Sequence, residues 1–214
     1  HLRARTHMID CQLRPSEVND ERILAVIARV PREEFVPKSK RTIAYVDEDL
    51  EIADGRFLME PVVFARLLVA ARVQPSDLVL HIGCGTGYGS AVLAGLSDAV
   101  VALEEDGNLV SLAEKKLSSL DVMNVATVKG DMAAGVPKQG PYDVIFIEGA
   151  VEEIPSKLVK QLKEDGRLVA VKRSGGVGRA HLIERRGDET ASKNLFDANV
   201  ELLPGFEAKK EFVF

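Results

Sequence analysis

The stretch Leu78-Val-Leu-His-Ile-Gly-Cys-Gly-Thr-Gly-Tyr88 decides the fold. It begins as a short, largely apolar run, which reads as a buried strand. Three glycines then fall on alternate positions, Gly83, Gly85 and Gly87, and Ser90-Ala-Val-Leu-Ala-Gly-Leu96 follows as a short apolar helix. Strand, glycine turn and helix open a βαβ unit. Glycine tolerates positive φ and lets a ligand approach the backbone with no Cβ in between. The loop therefore reads as the floor of a pocket for a nucleotide cofactor.

Outward from this loop, strands and helices alternate. Strands are expected at 78–82, 99–103, 125–128, 142–147 and 167–171. Helices are expected at 109–120 and 155–162, the second closed by Asp165-Gly166. Upstream, Pro61 suits a first helical position, and 62–73 is an apolar helix ending at Gln74-Pro75. This alternation predicts an α/β, Rossmann-like fold: a mostly parallel central sheet with helices on both faces. Gly175-Gly-Val-Gly178 reads as a connector, 181–185 as a strand, and Glu184-Arg-Arg-Gly-Asp-Glu189 as a solvated hairpin. Segments 198–203 and 209–214 are expected to be antiparallel strands closing the sheet edge. Residues 1–60 form an N-terminal extension with a helix over 19–29 and an extended stretch over 44–52, packed on a domain spanning 61–214.

The 214 residues suffice for one such domain with an appendage. The net charge of -5 argues against a nucleic-acid or anionic-membrane surface, and no apolar run is long enough to span a bilayer. The first residues, His1 to His7, lack the apolar core of a signal peptide. Cys11 and Cys84 are too few for a disulfide framework and are expected to stay reduced in a cytoplasm. His1, His7, His81 and His181 are scattered, so no metal is expected.

Carboxylates recur at the strand tips. Glu104 closes the second strand, where an acid can accept both hydroxyls of a cofactor ribose, with Glu105 and Asp106 as neighbouring candidates. Asp131 follows the third strand and is placed to accept from an adenine amino group, with Met132 against the ring. Its other reading is a cap on the next segment. Glu148 ends the fourth strand, at the pocket's open edge, toward cofactor or substrate. Cys84, Thr86 and Tyr88 lie in the cofactor loop, and nothing near Cys84 in sequence would activate it as a nucleophile.

The spacing Gly83-x-Gly85-x-Gly87 is not the GxGxxG of a dinucleotide fold, which disfavours a nicotinamide oxidoreductase. It resembles the cofactor loop of class I S-adenosylmethionine methyltransferases. A narrower resemblance rests on Val30-Pro-Arg-Glu-Glu-Phe-Val-Pro37, Tyr45-Val-Asp47, Gly55 and Pro61, 79–88, Glu104, Gly130-Asp131, Tyr142-Asp143, Ile154-Pro155 and Leu203-Pro-Gly-Phe206. On these the chain resembles protein-L-isoaspartate (D-aspartate) O-methyltransferases. The resemblance implies the class I methyltransferase fold and S-adenosylmethionine as cofactor, with S-adenosylhomocysteine as product. It implies isoaspartyl peptides or proteins as substrate, methylated as a first step of repair. The oligomeric state is left open.

The chain departs from that family in one loop. Where the family carries a serine or threonine two residues before the proline, this chain has Met59, and Phe57 takes the usual threonine position. Neither side chain donates a hydrogen bond to a carboxylate. Glu60 and Glu148 add negative charge near the presumed pocket, which disfavours an anionic acceptor. Two alternatives therefore stay open: a relative with another acceptor, and a non-catalytic module that binds the cofactor.

Overall fold

The computed structural model describes residues 1–208. The expected strand at 209–214 lies outside them. In chain order the elements are α1 (Leu2–Met8), α2 (Glu21–Arg29), β1 (Leu50–Ala53), β2 (Arg56–Leu58), α3 (Pro61–Ala71), β3 (Leu78–Ile82) and α4 (Tyr88–Ala94). They continue with β4 (Ala99–Glu104), α5 (Gly107–Ser119), β5 (Val125–Lys129), β6 (Tyr142–Val151), α6 (Ser156–Val159), β7 (Leu162–Ser174), β8 (Val177–Arg186) and β9 (Glu189–Asp197). Short 3-10 and π turns cover 9–16, 32–34 and 38–43.

Seven strands form one sheet in the order β5-β4-β3-β6-β7-β8-β9. The first five are parallel, and β8 and β9 add antiparallel at the edge. The order reverses between β3 and β6, so their carboxyl ends form the crevice where an open α/β sheet binds its ligand. Strands β3 and β6 are buried on both faces, which is why they read as apolar runs.

Residues 1–60 share the main core. Asp20 caps α2 by accepting from the Arg22 amide at 2.9 Å. The apolar stripe Ile23, Leu24, Val26 and Ile27 is buried in one cluster with Met8, Leu13, Val18, Val92 and Phe146. Each such side chain contributes about 1.5–3 kcal/mol on burial.

Three expectations need correction. The helix expected at 155–162 is four residues long, because Leu162 already pairs with Tyr142 as the start of β7. Asp165, at φ +57°, is a kink within that strand rather than a helix stop. The edge is closed by β9 at 189–197, not by 198–203. That later segment crosses the top of the sheet from β8, where the Ala198 amide donates to the Gly178 carbonyl at 3.0 Å, to β6, where Leu202 forms a parallel bridge with Ala150. The extended stretch at 44–52 is a turn, with pairing only from Leu50 onward. Among the described residues no helix is long and apolar enough to cross a membrane.

Candidate functional site

The glycine loop leaves β3 with Gly83, Gly85 and Gly87 all in the left-handed region, at φ +78°, +52° and +97°. The Gly83 and Cys84 amides both donate to the Leu103 carbonyl, at 2.9 and 3.2 Å, which pins the loop against the tip of β4. A Cβ on Gly85 would lie 2.7 Å from Ile52 Cδ1, and one on Gly83 would lie 3.0 Å from Leu203 Cδ2. Bare backbone thus forms a cup, and Ile52 from β1 and Leu203 from the crossing tail face into it.

The next residues hold the loop from behind. Thr86 Oγ1 donates to the Phe35 carbonyl at 2.5 Å. Tyr88 is fully buried against Phe35 and Phe64, and the Arg32 guanidinium lies 5.0 Å from its ring centroid. Their side chains anchor the loop in the N-terminal segment and leave its backbone to face the crevice. Cys84 is buried, and burial with Glu104 and Glu148 nearby pushes its thiol pKa up, the opposite of activation.

Of the three acids after β4, Glu104 is the one turned inward, and it is wholly buried. Its Oε2 accepts from the Gly85 amide at 2.9 Å, and its Oε1 from the Glu105 and Asp106 amides at 2.9 and 3.2 Å. Glu105 is exposed, and Asp106 caps α5 through the Asn108 amide at 2.8 Å. Arg56 Nη1, from β2, also donates to Glu104 Oε1. Sequence reading did not find Arg56. Its only signal was a basic residue directly after Gly55.

Asp131 and Met132 follow β5. Asp131 Oδ1 accepts from the Ala133 and Ala134 amides at 2.8 and 3.2 Å, so the side chain caps the next turn. Met132 is buried in the second apolar cluster with Leu103, Leu203 and Phe206. Glu148, near the end of β6, is also buried, and its Oε2 lies 2.8 Å from His81 Nε2. His81 Nδ1 lies 2.8 Å from Ser90 Oγ. A carboxylate only accepts, so Nε2 donates to it and the serine hydroxyl partners Nδ1. This buried Ser90-His81-Glu148 chain joins α4, β3 and β6 behind the glycine cup. It too was missed, although a histidine inside an apolar strand was a visible signal.

The loop 55–61 lies across the cup. Arg32 is fully buried and donates to the Met59 and Ala44 carbonyls, each at 2.7 Å. The Met59 side chain is buried and Phe57 partly so. Asp49 accepts from the Glu60 and Glu201 amides at 2.8 Å each, joining loop and tail. Burial, with Asp47, Asp49 and Glu48 nearby, raises the Glu60 carboxyl to about 7. Asp49, Gly55, Arg56, Phe57, Met59, Glu148, Gly149 and Leu203 enclose a cavity of about 10 Å³.

A profile of the protein-L-isoaspartate(D-aspartate) O-methyltransferase family matches residues 3–204. A protein-L-isoaspartate O-methyltransferase of Koribacter versatilis is 36% identical over 201 residues, covering 94% of this chain and 90% of its own. One from Methanoculleus marisnigri is 38% identical over 168 residues, covering 78% and 76%. A solved protein-L-isoaspartate O-methyltransferase aligns with TM-score 0.82 and 27% identity over 94% of this chain and 66% of that one. A structure of a related Plasmodium falciparum protein in complex with S-adenosyl-L-homocysteine aligns with TM-score 0.80 at 20% identity, a likeness of fold.

Proposed function

This chain belongs to the protein-L-isoaspartate(D-aspartate) O-methyltransferase family, and on that premise we propose that its crevice transfers a methyl group from S-adenosylmethionine to the free α-carboxylate of isoaspartyl residues in damaged proteins. One observation carries the reading: an alternating-glycine loop, bare at three left-handed positions, is hydrogen-bonded through Gly85 to the buried Glu104.

The residues present fit such a cofactor in kind. A Cβ at Gly83 or Gly85 would fill the space that a ligand needs against the backbone. Glu104 brings a buried carboxylate to the strand tip, where ribose hydroxyls are received in related α/β folds. We assign the cradle to the backbone of Gly83, Cys84, Gly85 and Gly87, the ribose to Glu104, and the base side to Asp131 and Met132, while Glu148, buried and paired with His81 behind the cup, supports the loop rather than standing at an open edge. Arg56 and Ile52 now hold part of that space, so entry requires the 50–58 hairpin to shift.

When bound, the cofactor supplies an electrophilic methyl group on a sulfonium. An isoaspartyl carboxylate is ionised at neutral pH, with a reference pKa near 4, so the protein needs no general base for it. Its residues have to align the carboxylate oxygen with the methyl carbon and exclude water. Met59, Phe57 and Leu203 supply the apolar part of the wall here, which serves exclusion.

The test is methyl transfer from labelled cofactor to an isoaspartyl peptide, with calorimetric titration of S-adenosylhomocysteine alongside. Base-labile label on the peptide and saturable binding are expected. No ester above the blank, together with no binding heat, would sink the proposal. The missing hydroxyls at 57 and 59 favour one second reading, a cofactor-binding protein that does not turn over. Tight binding without ester on any acceptor would select it.

A further inference from the structure

We infer that Arg56 is the receptor for the acceptor's carboxylate, in place of the hydroxyl that this chain lacks at position 59. The inference rests on the function proposed above and names the group that recognises its substrate.

The Arg56 side chain is 5% exposed. Its Nη1 donates to Glu104, whereas its Nη2 is buried with no hydrogen-bond partner among the described residues. A buried guanidinium N–H without an acceptor calls for an explanation, and an incoming ligand is one. Among the described residues, Arg56 is the only cationic side chain lining the cavity shared with Phe57, Met59, Glu148, Gly149 and Leu203. At about 10 Å³ that cavity holds no more than one water, so it becomes a site only when the guanidinium or the tail moves.

Two features let Arg56 move. Glu104 already accepts three backbone amides, from Gly85, Glu105 and Asp106, so Arg56 is a fourth and replaceable donor. Of the other acids lining the cavity, Asp49 is engaged by the Glu60 and Glu201 amides and Glu148 by His81, while Glu201 is exposed to solvent. A ribose received by Glu104 takes the place of Nη1 and frees the whole fork. A planar guanidinium then meets a carboxylate through two parallel hydrogen bonds, a geometry that a single hydroxyl does not offer. Binding is therefore ordered, cofactor before acceptor, and no bond is made or broken in the exchange.

The experiment uses the full chain and three equilibrium titrations. These are S-adenosylhomocysteine alone, then an isoaspartyl peptide and its carboxamide analogue, each with S-adenosylhomocysteine saturating. Wild type should prefer the carboxylate peptide and bind it more weakly without S-adenosylhomocysteine. Arg56→Met should weaken the carboxylate peptide by about 10-fold or more, which is the scale of a lost charge-assisted pair. The same variant should leave the carboxamide peptide within about twofold and S-adenosylhomocysteine no weaker than in wild type. Arg56→Lys should fall between the two and carries the test if Arg56→Met does not fold.

An unchanged carboxylate preference in Arg56→Met overturns the inference. So does a matching loss of S-adenosylhomocysteine and peptide, which would place Arg56 in the cofactor cup. Wild type that binds S-adenosylhomocysteine but no isoaspartyl peptide overturns this inference and leaves the cofactor reading standing. Wild type that binds neither overturns both.

Discussion

A methyl group at Gly85 separates the cup from ordinary turn chemistry. Gly85 has φ +52°, where an L side chain is strained by about 1–2 kcal/mol. An alanine there also brings Cβ to 2.7 Å from Ile52 Cδ1. Ile52 ends in a flexible tip on a two-stranded hairpin, and driving it off its rotamer costs about 0.5–1.5 kcal/mol more. Gly187, in the β8–β9 turn, supplies the matched control: its φ is +63°, and a Cβ there would have nothing within 4 Å. Gly187→Ala should therefore cost only the backbone strain, and Gly85→Ala about 1 kcal/mol more. For a chain of this length that difference is about 2–4 °C in melting temperature. The larger contrast is in binding. The new methyl in Gly85→Ala stands against the bare backbone that receives the cofactor, so S-adenosylhomocysteine affinity should fall by about tenfold or more, as expected of an overpacked contact of about 1.4 kcal/mol. Gly187→Ala should bind as wild type. Differential scanning calorimetry and isothermal titration read the two quantities on the same samples. Equal affinity in the two variants would refute the placement of the cofactor on this loop.

Other substitutions test the surroundings. Glu60 is raised to about 7 by burial and three neighbouring acids. Its carboxyl binds a proton more tightly folded than unfolded, so its contribution is fully present below about pH 4.5 and is lost as pH rises through about 7. Glu60→Gln should flatten the fall in melting temperature between pH 5 and 8 and stabilise the protein at pH 8, and an unchanged profile would contradict the assignment. Asp77 Oδ2 accepts from Arg167 Nη2 at 2.5 Å and from the Gln74 amide at 2.8 Å, fastening the turn between α3 and β3 to β7. Asp77→Ala strands a mostly buried guanidinium and should cost about 3 kcal/mol in urea unfolding with the slope unchanged, and a loss below about 1 kcal/mol would count against it. Ser90→Ala leaves His81 Nδ1 unpaired in the core and should cost about 1–3 kcal/mol by the same assay, whereas a neutral result would mean the buried chain holds nothing.

The parallel half of the sheet was legible because its strands are buried on both faces, which compresses them into apolar runs such as 78–82 and 142–147. Strand β9 was not, because its side chains are exposed or half-buried and only backbone pairing with β8 makes it a strand. The helix at 155–162 overran because Leu162 is claimed by pairing with Tyr142, twenty residues upstream, which no local pattern records. Within the site, the glycine loop and Glu104 were legible because a strand tip announces itself by position. Arg56 was not, since its partner lies 48 residues away, and the His81-Glu148 contact spans 67. Sequence spacing shows which backbone bends and leaves out which distant side chain comes to meet it.

The loop 55–61 shows the same division between backbone and side chain. Its course is held from behind through main-chain groups: the Met59 carbonyl accepts from Arg32, and the Glu60 amide donates to Asp49. Neither bond involves the side chains at 57 or 59, so those positions can change chemistry without changing where the loop runs. A hydroxyl gives way there to the apolar Met59, which lines the same small cavity as Arg56. Pairing a guanidinium with a carboxylate in apolar surroundings is stronger than pairing a hydroxyl with it, provided the partner charge arrives. Until it arrives, the same low dielectric penalises the unpaired cation, and Glu104 relieves that penalty. The pair Arg56-Glu104 is thus what a buried arginine beside Met59 requires while no other anion among the described residues faces its free nitrogen, and the two features, met separately in the sequence as a lost hydroxyl and a strand-tip acid, belong to one electrostatic arrangement.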